Sequence, residues 1–224
     1  MKTAIVTGSS KGIGLATVNA FLNQGFSVVG WSRSKTTVDH PNFHWIACDV
    51  SQFAEVEKAL KQSLTFLENR VDVLVNNAGW GIPTPILDCE PQQFDAMQAT
   101  NVNGLFYCTR LVSPIMKEQG SGHIFNIASI AGTTGIEGMG AYCASKFAVR
   151  GFTLSIFKEL RKYGIKVTGI NPGSVNTDFF NEFEMVTADD SMMQASDIAK
   201  TIWNAYDTPK NFHQVEIEMR PLNR

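Results

Sequence analysis

A chain of 224 residues, 44% hydrophobic and 18% charged, has the length and composition to bury a core of its own without disulfide or metal staples. Its formal net charge of −2 excludes the basic footprint of a general nucleic-acid binder, so no nucleic-acid partner is expected and any positive site has to be local. No apolar run reaches the length of a membrane span and the first residues lack the pattern of a signal peptide, so a cytoplasmic protein with no membrane partner is expected.

Apolar runs of strand length alternate along the chain with amphipathic stretches of helix length. Residues 3–7 (TAIVT) read as a first strand, and 12–24 as a helix with Ile13, Ala16, Ala20 and Phe21 spaced to face inward. Residues 26–31 make a second strand closed by the polar segment 32–35, and 43–47 a short third. Ser51 stands where it would cap a helix running to about Leu67. Residues 71–75 (VDVLV) are a fourth strand, followed by a tight turn at 76–81. Pro91 sits where a helix starts without losing a hydrogen bond, and helical character continues to Lys117 with a break expected near 101–104. A fifth strand at 123–127, a long helix at 141–162, a sixth strand at 165–170, a helix at 195–206 and a last strand at 214–219 complete the series.

This alternation predicts a Rossmann-like α/β fold: one domain over 1–224, with a doubly wound parallel sheet flanked by helices. Right-handed crossovers favour the strand order 3-2-1-4-5-6 with the last strand beyond. Such a sheet takes its ligand where the winding reverses, so the turns after Thr7 and Val75 are expected side by side. The four cysteines (Cys48, Cys89, Cys108, Cys143) form no C-x-x-C pair and read as reduced thiols. Pro41 breaks the spacing of His40 and His44, and no metal site is expected.

The first turn reads Thr7-Gly8-Ser9-Ser10-Lys11-Gly12-Ile13-Gly14, with glycines one residue further apart than in the usual dinucleotide fingerprint. Gly8 permits the sharp turn, Gly12 lets backbone approach a pyrophosphate, and Gly14 allows close helix–strand contact. Further on come Asp49-Val50, Asn76-Asn77-Ala78-Gly79, Asn101, Ser129, Tyr142-Cys143-Ala144-Ser145-Lys146, and Asn171-Pro172-Gly173 through Thr177. In this order and at these separations, the motifs resemble those of the short-chain dehydrogenase/reductase family, and the resemblance extends across most of the chain.

That resemblance implies an oxidoreductase that moves hydride between a nicotinamide cofactor and a small carbonyl or alcohol substrate. It places Asp49 and Val50 against adenine, and Asn77, Ala78 and Gly79 along the cofactor beside the fourth strand. Pro172, Gly173, Val175 and Thr177 are expected at the nicotinamide end. The end of the second strand carries Ser32 and Arg33 in place of an acid that would accept ribose hydroxyls, and Lys11 stands in the glycine turn. Two cations and a hydroxyl suit a 2′-phosphate, so NADP(H) is the expected cofactor, although single surface cations are common.

At the chemical end, Lys146 follows Tyr142 by one helical turn on the same face. A neighbouring ammonium, with oxidised nicotinamide, is expected to lower the phenol's pKa and make Tyr142 the acid/base. Ser129 is placed to hold the substrate oxygen, and equally to cap a turn. By resemblance Asn101 kinks a helix and holds a water beside Lys146; its amide also suits a local backbone break. Trp80, Ile130, Glu137, Met139, Ser174, Phe179 and Phe180 border the expected pocket and point to a moderately hydrophobic substrate, with residues 178–194 as a lid. The tail Val215-Glu216-Ile217-Glu218-Met219-Arg220-Pro221 departs from the glycine-containing strand of 3-oxoacyl-acyl-carrier-protein reductases. Homo-oligomerisation, as dimer or tetramer, is implied by the resemblance through the two long helices. Two rivals stand beside this reading: a catalytically silent NADP(H)-binding regulator, and a sugar-nucleotide epimerase or dehydratase, for whose substrate region the chain is short.

Overall fold

The computed structural model describes residues 1–182 and 188–222. Its strands are β1 (Thr3–Thr7), β2 (Ser27–Ser32), β3 (Phe43–Ala47), β4 (Val73–Asn76), β5 (Gly122–Ile127), β6 (Ile165–Pro172), β7 (Val175–Asn176), β8 (Met193–Gln194) and β9 (Glu216–Met219). Seven of them form one sheet in the order β3-β2-β1-β4-β5-β6-β9, every neighbour parallel, as the alternation predicts. β7 and β8 form a separate two-stranded pair that the sequence did not announce.

Helices α1 (Gly12–Asn23), α2 (Phe53–Phe66), α3 (Pro91–Gln98), α4 (Leu105–Gln119), α5 (Gly140–Leu160) and α6 (Ala195–Tyr206) cover both faces of the sheet. Because side chains alternate along a strand, neighbouring β1 residues enter different cores. Ala4 and Val6 pack with Val18, Phe21, Ile198 and Ile202 of α1 and α6. Ile5 packs on the other face with Val56, Val112 and Ile156 of α2, α4 and α5. Phe21 of α1 and Phe26 just after it meet Trp203 and Tyr206 of α6 edge to face, with ring centroids 5.4 to 5.9 Å apart.

Local expectations met two corrections. In α1 the buried side chains are Thr17, Val18, Phe21 and Leu22; Ile13 packs against the same core while partly exposed, and Ala16 and Ala20 are only partly covered. Ser51 does not cap α2. The N-cap is Gln52, without a side-chain bond, and the turn is held instead by Asp49, whose carboxylate accepts from the Ser51 N–H at 2.9 Å. The break expected at 101–104 is a π-helical turn, Ala99–Gly104, between α3 and α4; such turns recur at functional sites.

At the amino ends of the strands, away from the cleft, His123 is 3% exposed and stacks on Phe125 at 3.9 Å between centroids. The Thr168 hydroxyl donates to the Gln214 carbonyl at 2.6 Å, so it accepts from His123 Nε2 at 2.8 Å. Burial, reinforced by His213 and Lys166, holds His123 well below its ordinary pKa. A histidine depressed in the folded state stabilises the fold above its unfolded pKa, and that stability is lost as pH falls below about 6.5. The urea midpoint is therefore expected to drop between about pH 7.5 and pH 5, with a shallower drop in His123→Gln. An identical drop in the variant would move the acid sensitivity elsewhere.

Candidate active site

The turns after β1 and β4 lie side by side. The Thr7 hydroxyl accepts from the backbone N–H groups of Asn77 (3.0 Å) and Ala78 (2.9 Å), and Asn77 Nδ2 donates to the carbonyls of Thr7 (3.0 Å) and Gly8 (3.2 Å). Gly8 has φ +65°, and a Cβ there would lie 2.8 Å from Asn77 Nδ2 and 2.9 Å from Ala78 Cα, so only glycine lets the turns approach. Lys11 is the N-cap of α1 and makes no side-chain capping bond, leaving the helix N-terminus open to an anion. In front of it lies a cleft of about 380 Å³ lined by Lys11, Gly12, Leu15, Thr177 and Asp178. This bare backbone cradle, with Gly12 beside Thr177, fits a pyrophosphate.

The adenosine side differs from expectation in one respect. The Ser32 hydroxyl is 6% exposed, accepts from Trp45 Nε1 at 3.0 Å, donates to the Ser34 carbonyl at 2.8 Å and meets Ser9 Oγ at 3.2 Å. With its hydrogen-bonding capacity engaged, Ser32 is not a free phosphate ligand, and the cationic character rests on Arg33 and Lys11. Arg33 is exposed and has no ion pair among the described residues. Lys11 Nζ pairs with Asp178 at 3.1 Å. Val50 is 4% exposed within the core, so its side chain faces the protein interior.

Ser129 leaves the carboxyl end of β5. Its oxygen caps a short turn by accepting from Ala131 N–H at 3.1 Å and lies 3.4 Å from the Pro172 carbonyl, and Ser129 is close enough to the Tyr142 phenol to oppose the rise in its pKa. One turn along α5 from Tyr142, Lys146 Nζ donates to the Ile127 carbonyl at 2.8 Å and stands 5.6 Å from the Tyr142 ring centroid. The expected lowering of the phenol's pKa involves the ammonium together with oxidised nicotinamide; without the cofactor, burial dominates both groups. Burial pushes Tyr142 up to about 12 against the opposing effect of Ser129, and burial pushes Lys146 down to about 8. Desolvation is the largest cause at both groups, raising the phenol and lowering the ammonium.

Asn101, in the π turn, is 2% exposed. Its amide donates to the Trp80 carbonyl (2.8 Å) and Ser145 Oγ (3.0 Å), and accepts from the Trp80 N–H (3.0 Å). Both donors are engaged, leaving one acceptor position on Oδ1 for the expected water. The structure thus gathers Ser129, Tyr142 and Lys146, with the Asn101 amide directed at the Trp80 backbone.

Of the expected pocket residues, Trp80, Met139 and Phe179 pack around Tyr142 together with Met97, Ala131 and Cys143, which the sequence did not single out. Ile130, Ser174 and Phe180 are partly buried and Glu137 is exposed. Within the expected lid, Asp178–Glu182 is a short turn and Met193–Gln194 is β8, while 183–187 lies outside the described residues. Among the described residues no cluster of histidine, cysteine, aspartate or glutamate is arranged to hold a metal ion.

A parallel sheet wound in this order, with a glycine cradle and a buried serine, tyrosine and lysine at its carboxyl ends, defines the class of dinucleotide-binding oxidoreductases. Residues 2–186 match the short chain dehydrogenase family, and the chain belongs to that family. It is 33% identical over 229 aligned residues to an uncharacterized oxidoreductase of Staphylococcus aureus, covering 99% of this chain and 97% of the relative. An oxidoreductase of Botryotinia fuckeliana is 35% identical over 185 residues, covering 80% of this chain and 67% of the relative. Among solved structures, 3-ketoacyl-(acyl-carrier-protein) reductase from Brucella melitensis complexed with NADH superposes with a TM-score of 0.91 at 26% identity, covering 99% of this chain and 97% of that one. The closed form of a serine dehydrogenase complexed with NADP+ gives 0.87 at 28% identity, covering 97% and 94%.

Proposed function

We propose that this oxidoreductase transfers hydride between NADP(H) and the carbonyl or secondary alcohol of a small, moderately hydrophobic substrate, with Tyr142 as acid/base. The observation that carries the reading is the buried Tyr142, with Ser129 beside its phenol and Lys146 one turn along α5, next to the glycine cradle. When bound, the nicotinamide supplies or accepts the hydride. Gly8, Ser10, Lys11, Gly12, Ile13 and Gly14 would hold the pyrophosphate side; Arg33 and Lys11 would meet the 2′-phosphate; Asp49 and Val50, the latter through its backbone, would border adenine, and Asn77, Ala78 and Gly79 would run along the cofactor beside β4. Pro172, Gly173, Val175 and Thr177 border the nicotinamide half, with Tyr142 and Lys146 at its ribose.

Ser129 and Tyr142 grip the substrate oxygen, and Tyr142 Oη donates its proton as negative charge develops there. Lys146, brought down to about 8 by burial, exchanges protons near neutral pH and supplies positive charge beside the phenol. Asn101 holds the adjoining backbone and offers its remaining acceptor to a relay water. Met97, Met139, Trp80 and Phe179 around Tyr142 favour an apolar substrate body.

Exposed Phe106 on α4 and Phe147 on α5, at 45% and 46%, support association of copies through these helices, as a dimer or tetramer. The free thiols of all four cysteines support a reducing, cytoplasmic setting, and no described helix is long and apolar enough to cross a membrane. We read the whole chain as one domain.

NADPH oxidation, followed by absorbance against aldehydes, ketones, quinones and oxoacyl thioesters, tests the reading. Turnover of an apolar carbonyl compound is expected. Tight NADPH binding with silence across the panel would overturn it in favour of the regulator.

A further inference from the structure

We propose that Gly81 is a positioning residue for the reaction: the bare backbone at this position is the seat of the Tyr142 ring, and Asn101 fixes that seat by clamping Trp80. The inference rests on the role proposed above for Tyr142. A Cβ at Gly81 would lie 2.5 Å from Cδ2, 3.0 Å from Cε2 and 3.1 Å from Cγ of Tyr142. Carbon atoms in ordinary contact stand about 3.5–4.0 Å apart, so a single methyl would displace the ring by about 1 Å. Gly81 does not have positive φ, so its backbone conformation is open to alanine and the requirement for glycine is one of space.

The seat has little freedom to retreat. Trp80, immediately before Gly81, gives both its backbone N–H and its carbonyl to the Asn101 amide, and its indole Nε1 lies 3.3 Å from Thr100 Oγ1. On the far side of Trp80, Gly79 is packed close as well: a Cβ there would stand 3.1 Å from Asn101 Oδ1 and 3.7 Å from Lys146 Nζ. The remaining Asn101 donor holds Ser145 Oγ, which donates to the Tyr142 carbonyl at 2.7 Å. The contacts therefore close a circuit: Tyr142 backbone, Ser145, Asn101, Trp80, Gly81 and back to the Tyr142 ring. It ties the distance between ring and strap to the backbone of α5 itself. Phe179 also packs on the ring, at 5.4 Å between centroids, so the phenol has a defined position before any substrate arrives.

The test is Gly81→Ala, with Gly135→Ala as control because a Cβ at Gly135 meets nothing within 4 Å. A displacement of about 1 Å at a reacting group costs on the order of 10²-fold, so kcat at saturating NADPH is expected to fall by about that factor. Independently of cofactor and substrate, 13Cζ-tyrosine labelling of the ligand-free protein reads the ring directly, since the chain has four tyrosines. The Tyr142 resonance, assigned by its loss in Tyr142→Phe, is expected to move in Gly81→Ala while those of Tyr107, Tyr163 and Tyr206 stay in place. A Gly81→Ala kcat within about twofold of the unmodified protein overturns the proposal, as does a fall in kcat with the Tyr142 resonance unmoved. If the unmodified protein turns over nothing, the assignment of Tyr142 as acid/base fails instead, and an unmoved resonance overturns the seat on its own.

Discussion

Tyr142→Phe is expected to lower turnover by about 10²–10⁴-fold, the usual scale for a lost general acid, with NADPH still bound. The substitution removes Oη and leaves a ring of the same shape on Gly81 and Phe179, so packing is preserved and the loss reads the chemistry. In the ligand-free protein the phenol is pushed up to about 12 and is neutral at physiological pH, the form that donates a proton to a developing alkoxide. The reverse direction needs the phenolate, which is why a buried cation one turn away matters more for alcohol oxidation than for carbonyl reduction. Steady-state rates in both directions, with NADPH binding followed by fluorescence, check the expectation. Near-full activity with the cofactor bound would remove Tyr142 from its assigned role.

The second large effect is expected at the other end of the cleft. Arg33→Asp should weaken NADPH much more than NADH. A hydrogen bond to a charged group contributes about 1.5–3 kcal/mol, so losing the Arg33 contact alone is worth about 10- to 150-fold. The new carboxylate would also repel the 2′-phosphate while offering an acceptor to unphosphorylated ribose. Arg33 is exposed and holds no ion pair among the described residues, so its replacement leaves the fold intact. The Lys11–Asp178 pair is no barrier to phosphate, because an exposed pair of this kind contributes only about 0–1 kcal/mol. Titration calorimetry with both cofactors decides the matter, and equal losses would place the phosphate elsewhere.

The places where the sequence misled share a cause. Ser32 ends β2 and is expected at the phosphate, yet its hydroxyl proton goes to the Ser34 carbonyl while Trp45 from the neighbouring strand donates to its oxygen. Ser51 was read as a cap from its residue type, yet Asp49 and Gln52 hold that turn. Lysine spacing points to a lower phenol pKa when oxidised nicotinamide is bound, yet it does not announce that in the ligand-free protein burial pushes the phenol up and the ammonium down. In each case the deciding group is a tertiary neighbour or the degree of desolvation, and neither is encoded in local spacing.

What the sequence determined by itself is whatever depends on period and backbone chemistry: strand and helix alternation, the winding order that follows from right-handed crossovers, the glycine turn, the proline start of α3 and the break at 101–104. Those features are local or follow from chain chirality. Only the tertiary structure decided that Gly81 lies under Tyr142, that Asn101 clamps Trp80, and that Met97 lines the same apolar cluster. These residues come from separate turns and helices, and close packing settles their contacts to within tenths of an ångström, a precision that no one-dimensional pattern carries.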